Sequence, residues 1–118
     1  PAGLPLVQHA LVSLMERVED GTFSIEQVVR KTSHAPATLY QVAERGFLRE
    51  GYFADITLIA PNPSTQDDPV LSKCGWSPFA GYAFKHRIAG TWVNGHQRYN
   101  GNQVVDGPYG QALAYDRG

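Results

Sequence analysis

The two halves of the chain are joined by one segment, Ser72-Lys73-Cys74-Gly75-Trp76-Ser77-Pro78-Phe79-Ala80-Gly81. Helical patterns and one strand pattern precede it, and short strand patterns follow it. Pro78 restricts the backbone and Gly81 frees it, so the segment should follow a fixed, irregular path. The large side chains of Trp76 and Phe79 are expected to pin that path to a core. Cys74 is interpreted as a buried packing residue, since a reactive thiol needs a lowered pKa and access.

Size and composition are typical of one globular domain. The chain has 118 residues, 42% of them hydrophobic and 18% charged, which is enough for a core. A net charge of −1 gives no electrostatic footprint for nucleic acid or an anionic membrane. A single cysteine excludes an internal disulfide and favours a reducing compartment, so a cytoplasmic location is expected. No apolar run approaches the roughly 18 residues that cross a bilayer.

The first predicted helix carries an apolar stripe with helical spacing. Its members are Val7, Leu11, Leu14 and Val18. Glu16, Arg17 and Glu19 lie mostly off this stripe. The helix should stop at Asp20-Gly21, because glycine commonly ends helices.

Two further helices are predicted before residue 50. Ser24 and Gln27 form a capping-box pattern that opens a short helix running to about Lys31. Pro36 is suited to the first turn of another helix. That third helix should end at Gly46, with three inward residues, Leu39, Val42 and Ala43.

Strands are predicted after the helices. The segments are about 54–60, 84–93, 96–100 and 103–105. Asn94-Gly95 lies between apolar runs and is the strongest short signal for a hairpin. The tail from Asp106 should be irregular coil. Three amphipathic helices thus precede a strand that has no hairpin partner on its N-terminal side. We expect the chain, which starts at Pro1, to be the back half of a larger protein; the alternative is that the three helices cover the strands by themselves.

The residues alone provide no catalytic or metal-binding constellation. The four histidines are far apart and show no metal-ligand spacing. His9 is interpreted as a residue of a polar helix face, His34 as an aid to helix capping, and His86 and His96 as solvated. The sequence contains no Gly-x-Ser-x-Gly elbow and no glycine-rich phosphate loop.

Residues 24–46 also permit a second interpretation, a winged helix-turn-helix. Four basic residues could then contact phosphates, namely Arg30, Lys31, Arg45 and Arg49. Pro36 at the start of the recognition helix and the slightly negative net charge argue against it.

Several segments together resemble one enzyme family. Ser33–Ala37 and Arg45–Ile56 resemble the region of cyclic amidohydrolases where the chain leaves a barrel and returns to a β-sandwich. The run Cys74–Phe79, the opening Pro1–His9 and the tail Gly107–Gln111 narrow the resemblance to the dihydroorotase family, with allantoinase and dihydropyrimidinase as relatives. The resemblance covers nearly the whole chain.

The resemblance implies an α/β fold in which residues 1–50 are the last outer helices of a (β/α)8 barrel. Residues 51–118 would be the C-terminal part of the β-sandwich and the tail. The implied activity is the reversible, zinc-dependent cyclisation of N-carbamoyl-L-aspartate to dihydroorotate in pyrimidine biosynthesis. The two zinc ions would be held by upstream residues, so this segment alone should be inactive and bind no metal tightly.

The resemblance also implies partners. They are the small-molecule substrate and the N-terminal part of the same enzyme. No nucleic-acid or membrane partner is expected, and whether the enzyme forms a homodimer is left open. A non-catalytic scaffold homologue is the alternative from another functional class. The upstream sequence would distinguish them, since a His-x-His pair there favours the enzyme.

Only the loop before the first helix carries expected site residues. By resemblance, Pro1, Ala2 and Gly3 approach the carboxylate of the substrate. Glycine allows backbone N–H groups to come close to an anion, although a plain turn is the alternative for this loop. Two departures from the family pattern occur: Ala80 stands where Glu is usual, and Leu6-Val7-Gln8-His9 replaces a usual Gly-Leu-Glu-Thr.

Overall fold

The helical part comes first in the chain. A computed structural model describes residues 3–64, 69–107 and 110–117. After a 3-10 turn the helices are α1 (Ala10–Glu19), α2 (Ile25–Val29), a π-helical turn (Arg30–His34) and α3 (Ala35–Leu39). None of the helices in these described ranges is long and apolar enough to cross a membrane.

Helix α1 forms where predicted but buries a different face. The side that packs on the rest of the chain carries Val12 and Met15 together with the polar residues His9 and Glu16. The prediction that the 7/11/14/18 stripe faces the core was therefore wrong: Val7 is 93% exposed, and the other three residues are only half-buried. Polar groups took the inner face because each finds a hydrogen-bond partner there, which removes the penalty for burial.

The capping box is confirmed, but the third helix differs from the prediction. Ser24 and Gln27 exchange both hydrogen bonds of the box. Pro36 lies in the first turn of α3, as predicted, but the helical path runs into α3 through the π turn without a break. A wider π turn accommodates the missing N–H and the ring of proline. The helix ends at Leu39 rather than Gly46, and Leu39 is 74% exposed.

Beyond α3 the chain pairs with its own tail. Gln41 has a positive φ of 55°, which redirects the backbone away from the helix. Val42 then forms an antiparallel bridge with Tyr115, and the Ala43 N–H donates to the Ala114 carbonyl at 2.9 Å. The end of the tail is thus paired with the segment that directly follows α3. Pro108 and Tyr109 lie outside the described residues.

The strands form an antiparallel sheet in the order β1-β2-β3. They are β1 (Ile56–Pro61), β2 (His86–Val93) and β3 (His96–Tyr99). These bounds confirm the first three predicted strands, and Asn94-Gly95, both with positive φ, forms the predicted hairpin turn. The predicted strand 103–105 is reduced to one bridge between Tyr99 and Val104.

The sheet has one face toward the helices and one open face. Ile59 pairs with Ile88, and both line spaces shared with α1. Because side chains alternate along a strand, Leu58 points to the opposite face, where it is 52% exposed. There it faces Gly90, over which the ring of Trp92 lies. Within the described residues, the β1 side of this face stays exposed at Ile56 and Leu58, whereas Gly90 is buried.

An open cleft of about 920 Å³ separates α1 and α2 from β1. We define it by its apolar lining residues, Leu11, Met15, Ile25, Val28, Val29 and Ile59. The Cα radius of gyration is 15.5 Å, against about 13 to 14 Å for a compact domain of this length. The helices and the sheet therefore do not close fully on each other.

Candidate functional site

The candidate site is the loop of residues 3–9, here called the anchored loop. Gly3 has a φ of +101°, a conformation that only glycine adopts easily, and it is exposed with open space around it. Pro1 and Ala2, the other two predicted substrate contacts, lie outside the described residues. From Gly3 the chain enters the 3-10 turn, where the His9 N–H donates to the Leu6 carbonyl at 3.0 Å.

Gln8 fixes this loop to a distant part of the chain. Its side-chain Nε2 donates to the Pro69 carbonyl at 2.8 Å, and its Oε1 accepts from the Leu71 N–H at 2.9 Å. One amide side chain thus satisfies a backbone acceptor and a backbone donor, as a neighbouring strand would. The two partners lie just before the segment that joins the two halves of the chain.

His9 fixes the loop to the joining segment itself. Its ring is only 5% exposed, stacks on Phe84 with centroids 5.5 Å apart, and meets the edge of Phe79 at 5.7 Å. Nδ1 lies 3.2 Å from the Ser77 Oγ, which also accepts the Phe79 N–H at 3.1 Å. The interpretation of His9 as a polar-face residue was therefore wrong, because aromatic rings and a serine hydroxyl bury it.

The joining segment is held by Phe79, as predicted, and by Ser77 rather than Trp76. Ser77 is buried and Phe79 half-buried, whereas Trp76 is 46% exposed. Cys74 is also exposed, contrary to its predicted packing role. The Ser72 hydroxyl, 3.0 Å from the Cys74 sulfur, lowers the pKa of the thiol below its ordinary value, since a hydrogen bond stabilises the thiolate.

A buried carboxylate connects helix α1 to the start of the sheet. Glu16 Oε1 accepts from the Lys85 N–H at 2.7 Å, and Oε2 accepts from the Tyr82 hydroxyl at 3.3 Å. Sequence reasoning placed Glu16 mostly off the apolar stripe. His9, Val12 and Glu16 follow one another at spacings of three and then four residues, a helical pattern that could have revealed the inner face.

A second polar centre joins the end of the helical part to the hairpin turn. The guanidinium of Arg45 is buried, pairs with the Asp55 carboxylate, and donates to Asn94 Oδ1 at 2.7 Å. Asp55 also accepts the Asn94 N–H at 2.9 Å, and the ring of Phe53 lies 4.0 Å from the Arg45 guanidinium carbon. Arg45 is thus a structural cation and is not available to a nucleic-acid phosphate.

The remaining histidines take structural positions. His34 makes no capping hydrogen bond and instead stacks on Phe47 with centroids 4.3 Å apart, which corrects its predicted capping role. His86 is half-buried rather than solvated, with Nε2 3.6 Å from a Glu19 carboxylate oxygen, whereas His96 is exposed as expected.

Next to His34, Gly46 comes so near the helix that a Cβ there would lie 2.4 Å from the Ala37 Cβ. Gly46 also has a positive φ of 83°. Both the close approach and the backbone conformation explain the glycine in the Arg-Gly-Phe run.

The geometry excludes the helix-turn-helix interpretation, and the described residues offer no metal centre. Residues 25–39 form one continuous helical path, so no turn separates a recognition helix. In residues 3–64, 69–107 and 110–117, no group of three or more His, Cys, Asp or Glu side chains could hold a metal ion. The polar residues described above instead bind backbone groups and each other.

Comparison with known proteins identifies the family. The profile of the Amidohydrolase family matches residues 7–99. The chain belongs to the amidohydrolase family. This amidohydrolase chain is similar to an allantoinase of Bacillus velezensis, with 32% identity over 108 residues, which are 90% of the chain and 24% of that protein.

Other relatives of the amidohydrolase chain are dihydroorotases. One from Pyrococcus furiosus is 24% identical over 95% of the chain and 27% of that protein. Another, from Halobacterium salinarum, is 32% identical over 70% of the chain and 20% of that protein. The chain thus spans about a quarter of the length of these relatives, and it shares similarity with enzymes of two names.

Proposed function

We propose that the chain is the C-terminal portion of a zinc-dependent dihydroorotase. The whole enzyme would reversibly cyclise N-carbamoyl-L-aspartate to dihydroorotate in the cytoplasm. Membership of the amidohydrolase family and the relatives named dihydroorotase support this proposal. The resemblance of Cys74–Phe79 to the dihydroorotase pattern favours it over related cyclic amidohydrolases.

The observation that carries the proposal is the incomplete packing of the described chain. The open cleft of about 920 Å³ is lined by apolar side chains of α1, α2 and β1, and Leu58 lies exposed on the outer face of the sheet. Strand β1 is also an edge of the described sheet. Apolar faces and free strand edges require a cover, and the proposed barrel and N-terminal sandwich strands would supply it.

In this proposal, the ligands of the zinc ions are residues that precede the chain. The described residues do not fit a zinc site, because they bring no sufficient group of ligand side chains together. We therefore assign no metal ligand and no catalytic step to the chain. Its proposed contribution is the loop at Pro1, Ala2 and Gly3, where backbone groups would meet the carboxylate of the substrate.

Allantoinase is the second candidate, favoured by the 32% identity to the Bacillus velezensis protein over 90% of the chain. Both reactions open or close a cyclic amide, and they differ in the substrate. The test is hydrolysis of dihydroorotate and allantoin by the full-length protein, with zinc measured on the same sample.

Hydrolysis of dihydroorotate alone, with bound zinc, is the expected result. Hydrolysis of allantoin alone would replace the proposal with its alternative. Failure to hydrolyse either compound in zinc-loaded protein would favour a non-catalytic homologue. The 118-residue chain alone should be inactive in each assay, and it is the matched control for contaminating activity.

A further inference from the structure

We propose that Gln8 and His9 are positioning residues that hold the anchored loop for binding of the substrate's carboxylate. This inference rests on the proposed function, which brings the beginning of this loop to the substrate. It assigns the two residues to substrate affinity rather than to chemistry, since neither contacts the reacting atoms in the proposal.

The two adjacent side chains fix the loop at independent points. Gln8 holds the backbone of residues 69 and 71 with hydrogen bonds of 2.8 and 2.9 Å. His9 reaches Ser77, at 3.2 Å from Nδ1 to Oγ. Gln8 and His9 are consecutive residues of a 3-10 turn and point about 120° apart, so the two attachments restrain both translation and rotation of the turn.

The joining segment is itself well held where His9 meets it. The Ser77 hydroxyl accepts the Phe79 N–H at 3.1 Å, and the Phe79 ring packs on Phe84 with centroids 5.3 Å apart. Phe84 is buried and stacks on His9. The anchor therefore rests on an aromatic core rather than on a free surface loop.

The other end of the loop has no comparable restraint in the described residues. Gly3 has open space around it, and five residues separate it from His9. Because such a short link transmits the position of its fixed end, loss of an anchor should spread the positions of the Gly3 backbone. Affinity depends on such preorganised contacts, so the Michaelis constant should rise.

The experiment compares four variants of the full-length, zinc-loaded protein with dihydroorotate as substrate. His9→Phe keeps an aromatic ring but removes Nδ1, and His9→Asn keeps a hydrogen-bonding group near the position of Nδ1. Ser77→Ala removes the partner. Gln8→Glu keeps the acceptor for the Leu71 N–H but loses the donor to Pro69. Arg17→Lys, on the exposed side of α1, is the matched control.

We expect His9→Phe, Ser77→Ala and Gln8→Glu each to raise KM about tenfold, with kcat within about twofold of wild type, the pattern of lost uniform binding. His9→Asn should recover most of the affinity. The double variant His9→Phe/Ser77→Ala should be no worse than Ser77→Ala alone, because that single variant has already lost the contact between the two side chains. The control should match wild type.

Unchanged KM in the folded variants would overturn the inference while leaving the proposed function intact. A fall in kcat with unchanged KM would overturn it as well. If His9→Phe fails to fold, the KM of Gln8→Glu tests the inference instead. This substitution changes a half-buried side chain to one of almost the same shape. A wild-type protein that does not hydrolyse dihydroorotate would instead refute the proposed function, and this inference with it.

Discussion

The two sides of helix α1 and the 3-10 turn that precedes it differ in what they contact. One side carries His9 and Glu16, which are buried and bind serine, tyrosine and backbone groups of the same chain. The other side carries Leu11, which lines an open cleft, and Val7, which is almost wholly exposed. Val12 and Met15 are buried on the first side as apolar groups usually are, but the burial of His9 and Glu16 beside them departs from the usual exposure of polar groups.

The difference teaches that the chain satisfies its polar groups internally and leaves apolar surface for another partner. A buried carboxylate or imidazole must find its hydrogen bonds within reach. An apolar stripe only needs to leave water, and any covering surface will serve. The polar contacts therefore define the internal fold of this chain, and the apolar stripe indicates where the remainder of the proposed enzyme packs.

The largest expected effect on stability comes from removing the carboxylate partner of the buried Arg45. Asp55→Ala in the full-length protein should lower the free energy of unfolding by about 3 kcal/mol, because a buried guanidinium loses its carboxylate. Urea denaturation measures the change. Asp106→Ala, at an exposed position, is the control and should change stability little. An equal, small effect of both variants would show that Arg45 is solvated.

The next effect tests the apolar side. Leu11→Ala should destabilise the full-length protein by about 2 kcal/mol, as expected for a buried leucine. Leu39→Ala is the matched control, since Leu39 is exposed on a helix and does not line the cleft. Equal costs for the two leucines, measured by urea denaturation, would mean that nothing fills the cleft.

A smaller effect is expected for the buried carboxylate. Glu16→Gln keeps the shape and one acceptor oxygen but removes the charge that strengthens the bond from the Lys85 N–H. Charge-assisted hydrogen bonds are stronger than neutral ones, so a loss of about 1 kcal/mol is expected in urea denaturation. Glu26→Gln changes an exposed glutamate and should be near neutral, and the comparison of the two sides of α1 would be weakened if both variants behaved alike.

The smallest effect concerns reactivity rather than stability. Because the Ser72 hydroxyl lowers the pKa of the Cys74 thiol, the thiolate forms at lower pH than in an ordinary cysteine. The rate of alkylation by iodoacetamide should therefore begin to rise at lower pH in wild type than in Ser72→Ala. Superimposable pH profiles of the two proteins would contradict the hydrogen bond.

The sequence was informative where the signal is local. The capping box at Ser24 and the hairpin turn at Asn94-Gly95 were predicted correctly, since each depends on a few neighbouring residues. The inner face of α1 was not, because its choice depends on Ser77, Tyr82 and other groups more than sixty residues away. An apolar stripe on its own does not tell whether its partner lies in the same segment.

For the candidate site, too, local features were predictable from the sequence and distant contacts were not. The resemblance supplied Gly3 as a substrate contact, which remains a prediction, and its positive φ agrees with a glycine turn. The departures at Gln8 and His9 were visible in the sequence, but their partners were not. Only the fold brings Pro69, Leu71 and Ser77 to the beginning of the first helix.

Hydrogen exchange along strand β1 tests the central claim most directly. In the 118-residue chain, β1 is an edge of the described sheet, so the amides of residues 56–60 that do not pair with β2 should exchange rapidly. In the full-length protein we predict slow exchange for both sets of amides, because the proposed N-terminal strands would pair with this edge. Rapid exchange of the outward set in the full-length protein would contradict the account.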